Sequence, residues 1–121
     1  MSPVAIIPVG PAAIAAMTPS NYVTEESLRE GVPAEHEAGH LTSSDGKFSV
    51  GSWRAQPYAE FIESYPGDEY TRVLEGSITL TGDDGKPHTF GPGDAFTLPR
   101  GWRGEYRVTE PLLKQFAIYI P

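Results

Sequence analysis

The chain has 121 residues, 9 basic and 16 acidic side chains and a net charge of -7, a balance that repels phosphate backbones and anionic lipids and so argues against nucleic acid and membrane partners. The length suits one domain that buries its own core. Cysteine is absent, which removes disulfides and thiolate chemistry and agrees with a reducing, cytoplasmic home.

From Met1 to Thr24 there is no charged side chain. Val4 to Met17 is apolar, yet no Lys or Arg precedes Arg29 and Pro8 and Pro11 interrupt the run, so it reads as a retained segment rather than a signal peptide. No stretch approaches the roughly twenty apolar residues that span a bilayer. An extended arm is expected, packed on the body or on a second subunit, with at most one helical turn around Ala12 to Met17. Thr24 to Arg29, TEESLR, predicts a helix capped by Thr24 and stopped before Gly31.

Next comes His36-Glu37-Ala38-Gly39-His40, which spells H-E-x-x-H. In a zinc protease two such histidines share one helix face and the Glu activates water. Here Gly31 and Pro33 stand upstream, Gly39 lies inside and the turn-forming Thr42 to Gly46 follows, so a helix has almost no room. The expectation is an exposed polar loop.

Beyond it the chain is punctuated like an all-β protein, with many of its 13 Gly and 12 Pro between short segments rich in β-formers. Strands are predicted over Phe48 to Arg54, Ala59 to Tyr65, Tyr70 to Leu74, Ser77 to Thr81, His88 to Phe90, Ala95 to Leu98, Arg103 to Thr109 and Leu112 to Ile120. Short strands with such turns form sandwiches or barrels.

Two blocks within this region resemble the cupin superfamily. Glu69 is followed by YTRVLE and Gly76, the second half of the first cupin block, and Glu63 and Tyr65 then stand where its H-x-H pair would be. Gly93-DAFTL-Pro99-Arg100-Gly101 carries the second block, with Gly104 at its histidine position. Further matches, among them Gly51-Ser52-Trp53, Val73-Leu74-Glu75-Gly76 and Lys114 with Phe116 and Ile118, make the chain similar to small single-domain cupins related to ureidoglycine aminohydrolase and the ethanolamine-utilisation cupins. The resemblance implies an all-β jelly-roll barrel, a double-stranded β-helix, often paired as a homodimer. It divides the chain into an N-terminal arm and loop over 1–40 and a cupin domain over 41–121.

In a strand, residues two apart share a face about 7 Å from one another, so Phe61, Glu63 and Tyr65 would line one side together. In the cupin register that side is the interior, joined by Glu69 and faced by Gly104, Tyr106 and Val108. Glu63, Tyr65 and Glu69 are the catalytic candidates, the two carboxylates forming an acid and a base side by side. Trp53, Phe61, Trp102, Tyr106 and Lys114 are the ligand-binding candidates, Trp102 at the mouth and Lys114 either paired with an acidic pocket residue or reaching the rim. Gly104 would leave room where a ligand histidine stands in relatives.

Metal-binding cupins use three His and one Glu, and only the Glu is kept here. No cofactor is expected, beyond a weakly held divalent cation on Glu63, Tyr65 and Glu69. Two functions stay open: a small-molecule-binding cupin for a small polar metabolite, acting as a metal-free enzyme or as a non-catalytic module, and a metal-dependent ureidoglycine aminohydrolase-like hydrolase of nitrogen metabolism.

Overall fold

A computed structural model describes residues 4–121; the first three residues of the expected arm lie outside the described residues. In chain order come α1 (Pro11–Ile14), β1 (Thr18–Pro19), β2 (Leu28–Gly31), β3 (His36–Thr42), β4 (Phe48–Ala55), β5 (Tyr58–Ile62), β6 (Asp68–Gly82), β7 (Pro87–Phe90), β8 (Ala95–Leu98) and β9 (Gly104–Tyr119). The helix is one turn, as the arm's prolines require, and among the described residues no helix is long and apolar enough to cross a membrane.

The four strands predicted at Tyr70 to Leu74, Ser77 to Thr81, Arg103 to Thr109 and Leu112 to Ile120 are two long ones, β6 and β9, each bent once. The first half of β6 pairs with β8 and with Lys114 to Tyr119 of β9, while its second half pairs with β7 and with Gly104 to Glu110. β4 adds to one half of β9 and β5 to the other. Two layers result, β1-β3-β4-β9-β6-β8 and β2-β5-β9-β6-β7, and the shared strands roll them into a jelly-roll barrel.

At the bend the β6–β9 register shifts repeatedly between Val73 and Ile78. Gly76 sits there at φ 78°, and a Cβ on it would lie 2.0 Å from the Pro111 carbonyl oxygen. Glycine is therefore demanded twice, by a backbone angle that L-residues avoid and by the close approach of a second strand. Val73, Ile78 and Leu112, all fully buried beside this corner, form the floor of the core.

Two N-terminal expectations are corrected. TEESLR gives only one turn, closed by Leu28 N–H donating to Thr24 O at 3.0 Å. Leu28 then enters β2, because six residues nucleate a helix poorly and pairing with Glu60 and Tyr58 of β5 competes. HEAGH is not a loop but most of β3, hydrogen-bonded to β4 with a bulge between Gly39 and Leu41. The segment before residue 41 also contributes strands: β1 pairs with β3, β2 pairs with β5, and residues 20–27 run between β1 and β2 as a strap.

Gly76→Ala is expected to cost about 2–4 kcal/mol, the sum of a left-handed alanine and a forced backbone shift. Gly46, at φ 74° with open space around it, is the control. Its alanine variant should lose only the conformational part, about 1 kcal/mol, and urea denaturation of both variants measures the difference.

Candidate functional site

Alternation along β6 and β9 turns Glu69, Thr71 and Val73 inward against Leu112, Lys114 and Phe116. Val73 and Trp53 are both register partners of Lys114. The Lys114 ammonium donates to Glu69 Oε2 at 3.0 Å and to the Tyr106 hydroxyl at 3.1 Å. Thr71 donates to Glu69 Oε2 at 2.6 Å and Tyr65 to Oε1 at 3.0 Å, so both carboxylate oxygens are occupied. The rings of Trp53, Phe116 and Tyr106 surround Nζ at 5.2, 5.5 and 5.6 Å, a cation–π enclosure. Glu69 and Lys114 are only 6% and 5% exposed, so the pair is essentially dry.

Burial pushes the Lys114 pKa down, but the Glu69 carboxylate, followed by Tyr106 and Tyr65, outweighs it and holds the ammonium well above the ordinary lysine range. Lys114 is thus a permanent cation and not a nucleophilic amine. Burial raises the phenols of Tyr65 and Tyr106; Lys114 opposes the rise and Glu69 reinforces it. Both remain neutral hydrogen-bonding groups.

A second carboxylate shares the interior, and it is Glu60, not Glu63. β5 ends at Ile62 and runs one residue out of phase with the expected strand, so Tyr58, Glu60 and Ile62 face Val108, Tyr106 and Gly104. A one-residue slip exchanges the two faces of a strand. Glu60 is buried, accepts from Tyr58 at 2.6 Å and from Ser27 at 3.3 Å, and burial raises its pKa against those hydrogen bonds. Glu63 instead points outward, 3.1 Å from Arg103 Nε with three quarters of its side chain exposed. Phe61 lies on the same outer face, under Arg103 at 4.8 Å and Arg29 at 5.9 Å. The expected convergence of Glu63 with Glu69 is absent. Trp53, Tyr65, Glu69, Tyr106 and Lys114 do converge, Tyr65 because the chain breaks strand alternation between Ile62 and the backbone pairing of Tyr65 with Gly101 and Trp102.

Glu35 was not anticipated. It is buried and accepts from Ser20 Oγ, the backbone N–H groups of Tyr22 and Val23, and Trp53 Nε1 at 3.1 Å, pinning the strap to the barrel wall. Burial works to raise its pKa, but the N–H of Val23, the Ser20 hydroxyl, the Trp53 indole and the N–H of Tyr22 together lower it. The zinc-protease reading of the neighbouring motif fails on geometry, since ends of a four-step strand segment stand about 13 Å apart. His40 is buried against Ser52 at 2.8 Å, His36 meets the Ala34 carbonyl at 3.0 Å, and Glu37 accepts from Tyr22, whose phenol is pushed up to about 12 by burial and Glu37.

Trp102 lines a cavity of about 340 Å³ with Leu80, Phe90, Phe96, Leu98 and Pro99, rimmed by Asp83, Asp84 and His88. Its ring also packs edge-on against Tyr65 at 6.5 Å, linking this mouth to Glu69. A larger hollow of about 860 Å³ lies between the arm and the outer face of β3, β4 and β9.

The site does not fit a metal. Among the described residues no three His, Asp or Glu side chains gather as ligands, and of the two interior carboxylates Glu69 faces an ammonium while Glu60 accepts from Tyr58 and Ser27. Gly104 offers no room for a ligand side chain, contrary to expectation: a Cβ there would stand 2.3 Å from Thr81 O and 2.8 Å from Trp102.

The family model for EutQ-like cupin domains matches residues 42–116. Among solved structures, the chain is similar to a putative ethanolamine utilization protein Q from Salmonella typhimurium LT2, with 18% identity over 71% of this chain and 69% of that one and a TM-score of 0.62. It is also similar to the EutQ protein of Clostridium difficile, with 16% identity, 85% and 80% covered and a TM-score of 0.61. A protein of unknown function of the DUF861 family from Pseudomonas syringae pv. tomato superposes with a TM-score of 0.81 at 20% identity over 88% of this chain, which spans only 45% of that protein's length. At these identities the likeness speaks for the fold. No curated protein matches the sequence.

Because the folded pKa of Glu35 is lowered, its stabilisation is complete above the ordinary carboxylate value near 4.3 and is lost as pH falls through the lower folded value. Glu35→Gln should cost about 1–3 kcal/mol at pH 7. The variant should also lose part of the decline in stability that the wild type shows below about pH 4.3, as read from urea midpoints across acidic pH.

Proposed function

The chain belongs to the EutQ-like cupin family, and from that premise we propose that it binds a small polar metabolite, taken in at the Trp102 mouth and read by the Tyr65–Glu69–Lys114–Tyr106 network. The observation that carries this reading is the double role of Trp102, which walls the 340 Å³ cavity and touches the phenol that donates to Glu69. That volume falls within the usual range of ligand pockets, and the combination of aromatic walls with a few fixed polar groups suits a small polar molecule. Trp53 supplies a further wall beside Lys114. The metal-dependent hydrolase alternative is not carried forward, since Glu69 is paired with Lys114, Glu60 is bonded to Tyr58 and Ser27, and among the described residues no third ligand gathers with them.

Metal-free proton transfer is a second reading, favoured by the environment of Glu60. Burial raises its pKa, the direction that suits a general acid. Glu60 takes the part that Glu63 was expected to play. We further propose a homodimer joined through the arm, whose Val4 and Ile6 are 99% and 94% exposed in the single chain.

A thermal-shift screen of small polar metabolites tests the main reading. Any compound that stabilises the wild type should bind at least about tenfold more weakly to Trp102→Ala and Glu69→Gln, while Phe61→Ala and Glu63→Gln on the outer face leave its affinity unchanged. A hit indifferent to the first two variants would place binding elsewhere. Sedimentation equilibrium should find a dimer that Ile6→Asp converts to monomer, and unchanged mass in both proteins would reject the arm interface.

A further inference from the structure

The centre of the barrel departs from a metal site in kind and not only in its missing histidines. A metal-binding cupin gathers neutral and anionic donors around a vacancy for a dication. Here a covalently attached cation already occupies the middle. Glu69 directs Oε2 at Lys114 Nζ at 3.0 Å, and its remaining acceptor capacity is engaged by Tyr65 and Thr71. Lys114 reaches on to Tyr106, so one ammonium ties β9 to β6 and fixes a phenol on its own strand's other half. Three ring faces enclose the charge where water or further ligands would otherwise stand. The wall from which a ligand side chain would enter is shut at Gly104 by the carbonyl of Thr81.

We propose that Lys114 is a built-in cation that takes the place of a metal ion, partnering Glu69 and positioning Tyr65 and Tyr106, so that the barrel interior is completed without any bound metal. The inference does not depend on which small molecule the protein binds, or on whether it binds one. It assigns Lys114 a positioning role, exerted through Glu69 and the phenols.

Lys114→Ala leaves Glu69 buried without its partner and opens a hollow shaped like propylammonium. The expected result is a fall in Tm of about 10 °C or more, partly reversed by millimolar propylammonium chloride. Equal potassium chloride should not reverse it, and neither salt should act on Glu69→Gln/Lys114→Ala. A folded Lys114→Ala protein that ignores propylammonium overturns the proposal. Should that variant not fold, Glu69→Gln/Lys114→Met decides: it is expected to melt above Glu69→Gln alone, whose lysine is left buried and unpaired, and a double variant no more stable counts against the pair. On the wild type, EDTA should leave Tm unchanged and titration calorimetry with Mn2+, Ni2+ and Zn2+ should show no stoichiometric binding. One equivalent of metal, bound by the wild type and lost in Glu69→Gln, refutes the built-in cation.

Discussion

The interior of this barrel is organised by a single ammonium. A lysine on a strand that is otherwise apolar near its centre must either reach water or find an anion, and Lys114 finds Glu69 across the β6–β9 ladder. Burying both charges has a large desolvation cost, which close geometry and additional hydrogen bonds must offset. Those bonds come from Tyr65, Thr71 and Tyr106, and among the described residues no buried side-chain nitrogen or oxygen is left without a partner. Each of these residues is thereby held to one rotamer by the same pair. Replacing such a buried pair by apolar residues of similar volume is often neutral or stabilising, whereas removing one partner alone leaves an uncompensated charge, so the two residues are bound to one another more tightly than the fold is bound to them.

That pairing exists only because β6 and β9 remain neighbours through both layers. The corner at Gly76 and Pro111 lets each strand turn from one layer to the other without parting from its partner, and the turn brings Tyr106, from one half of β9, to the ammonium on the other half. Gly104 and Gly82 perform a related task at the far end, where the strands approach too closely for any Cβ on Gly104 and Trp102 covers them. The strap then runs from β1 in one layer to β2 in the other. Glu35 ties it to Trp53, and Ser27 reaches Glu60, so residues that precede the family match are continuous with the interior network.

Much of this was legible in the sequence where a signal was local. Turn residues marked the ends of β4, β7 and β8, and the spacing from Glu69 to Gly76 and from Gly93 to Gly101 identified the cupin framework. Trp53, Tyr65, Glu69, Tyr106 and Lys114 were each named as site candidates, Lys114 with a place at the rim as its alternative, and are found together. What failed was phase. Starting a strand at Ala59 instead of Tyr58, and carrying it to Tyr65, placed Phe61 and Glu63 inside and left Tyr58 and Glu60 out, and nothing local in YAEFIESY distinguishes the two registers. Glu35 and the strap were hidden for another reason: their meaning is a contact with Trp53 eighteen residues away, and the short polar stretch that makes it has no periodicity.

The phase of β5 also bears on chemistry. With Glu63 inside, the barrel would hold two carboxylates at one end of a strand near the mouth, an arrangement that invites a hard cation. With Glu60 inside, the second carboxylate faces Tyr106 and is bonded to Tyr58 and to Ser27 of the strap. The cation beside Glu69 is then the protein's own, and Trp102, in edge contact with Tyr65, stands at a cavity rimmed by Asp83, Asp84 and His88. Behind that rim the Glu69–Lys114 pair is closed on itself and the phenols of Tyr65 and Tyr106 are neutral hydrogen-bonding groups.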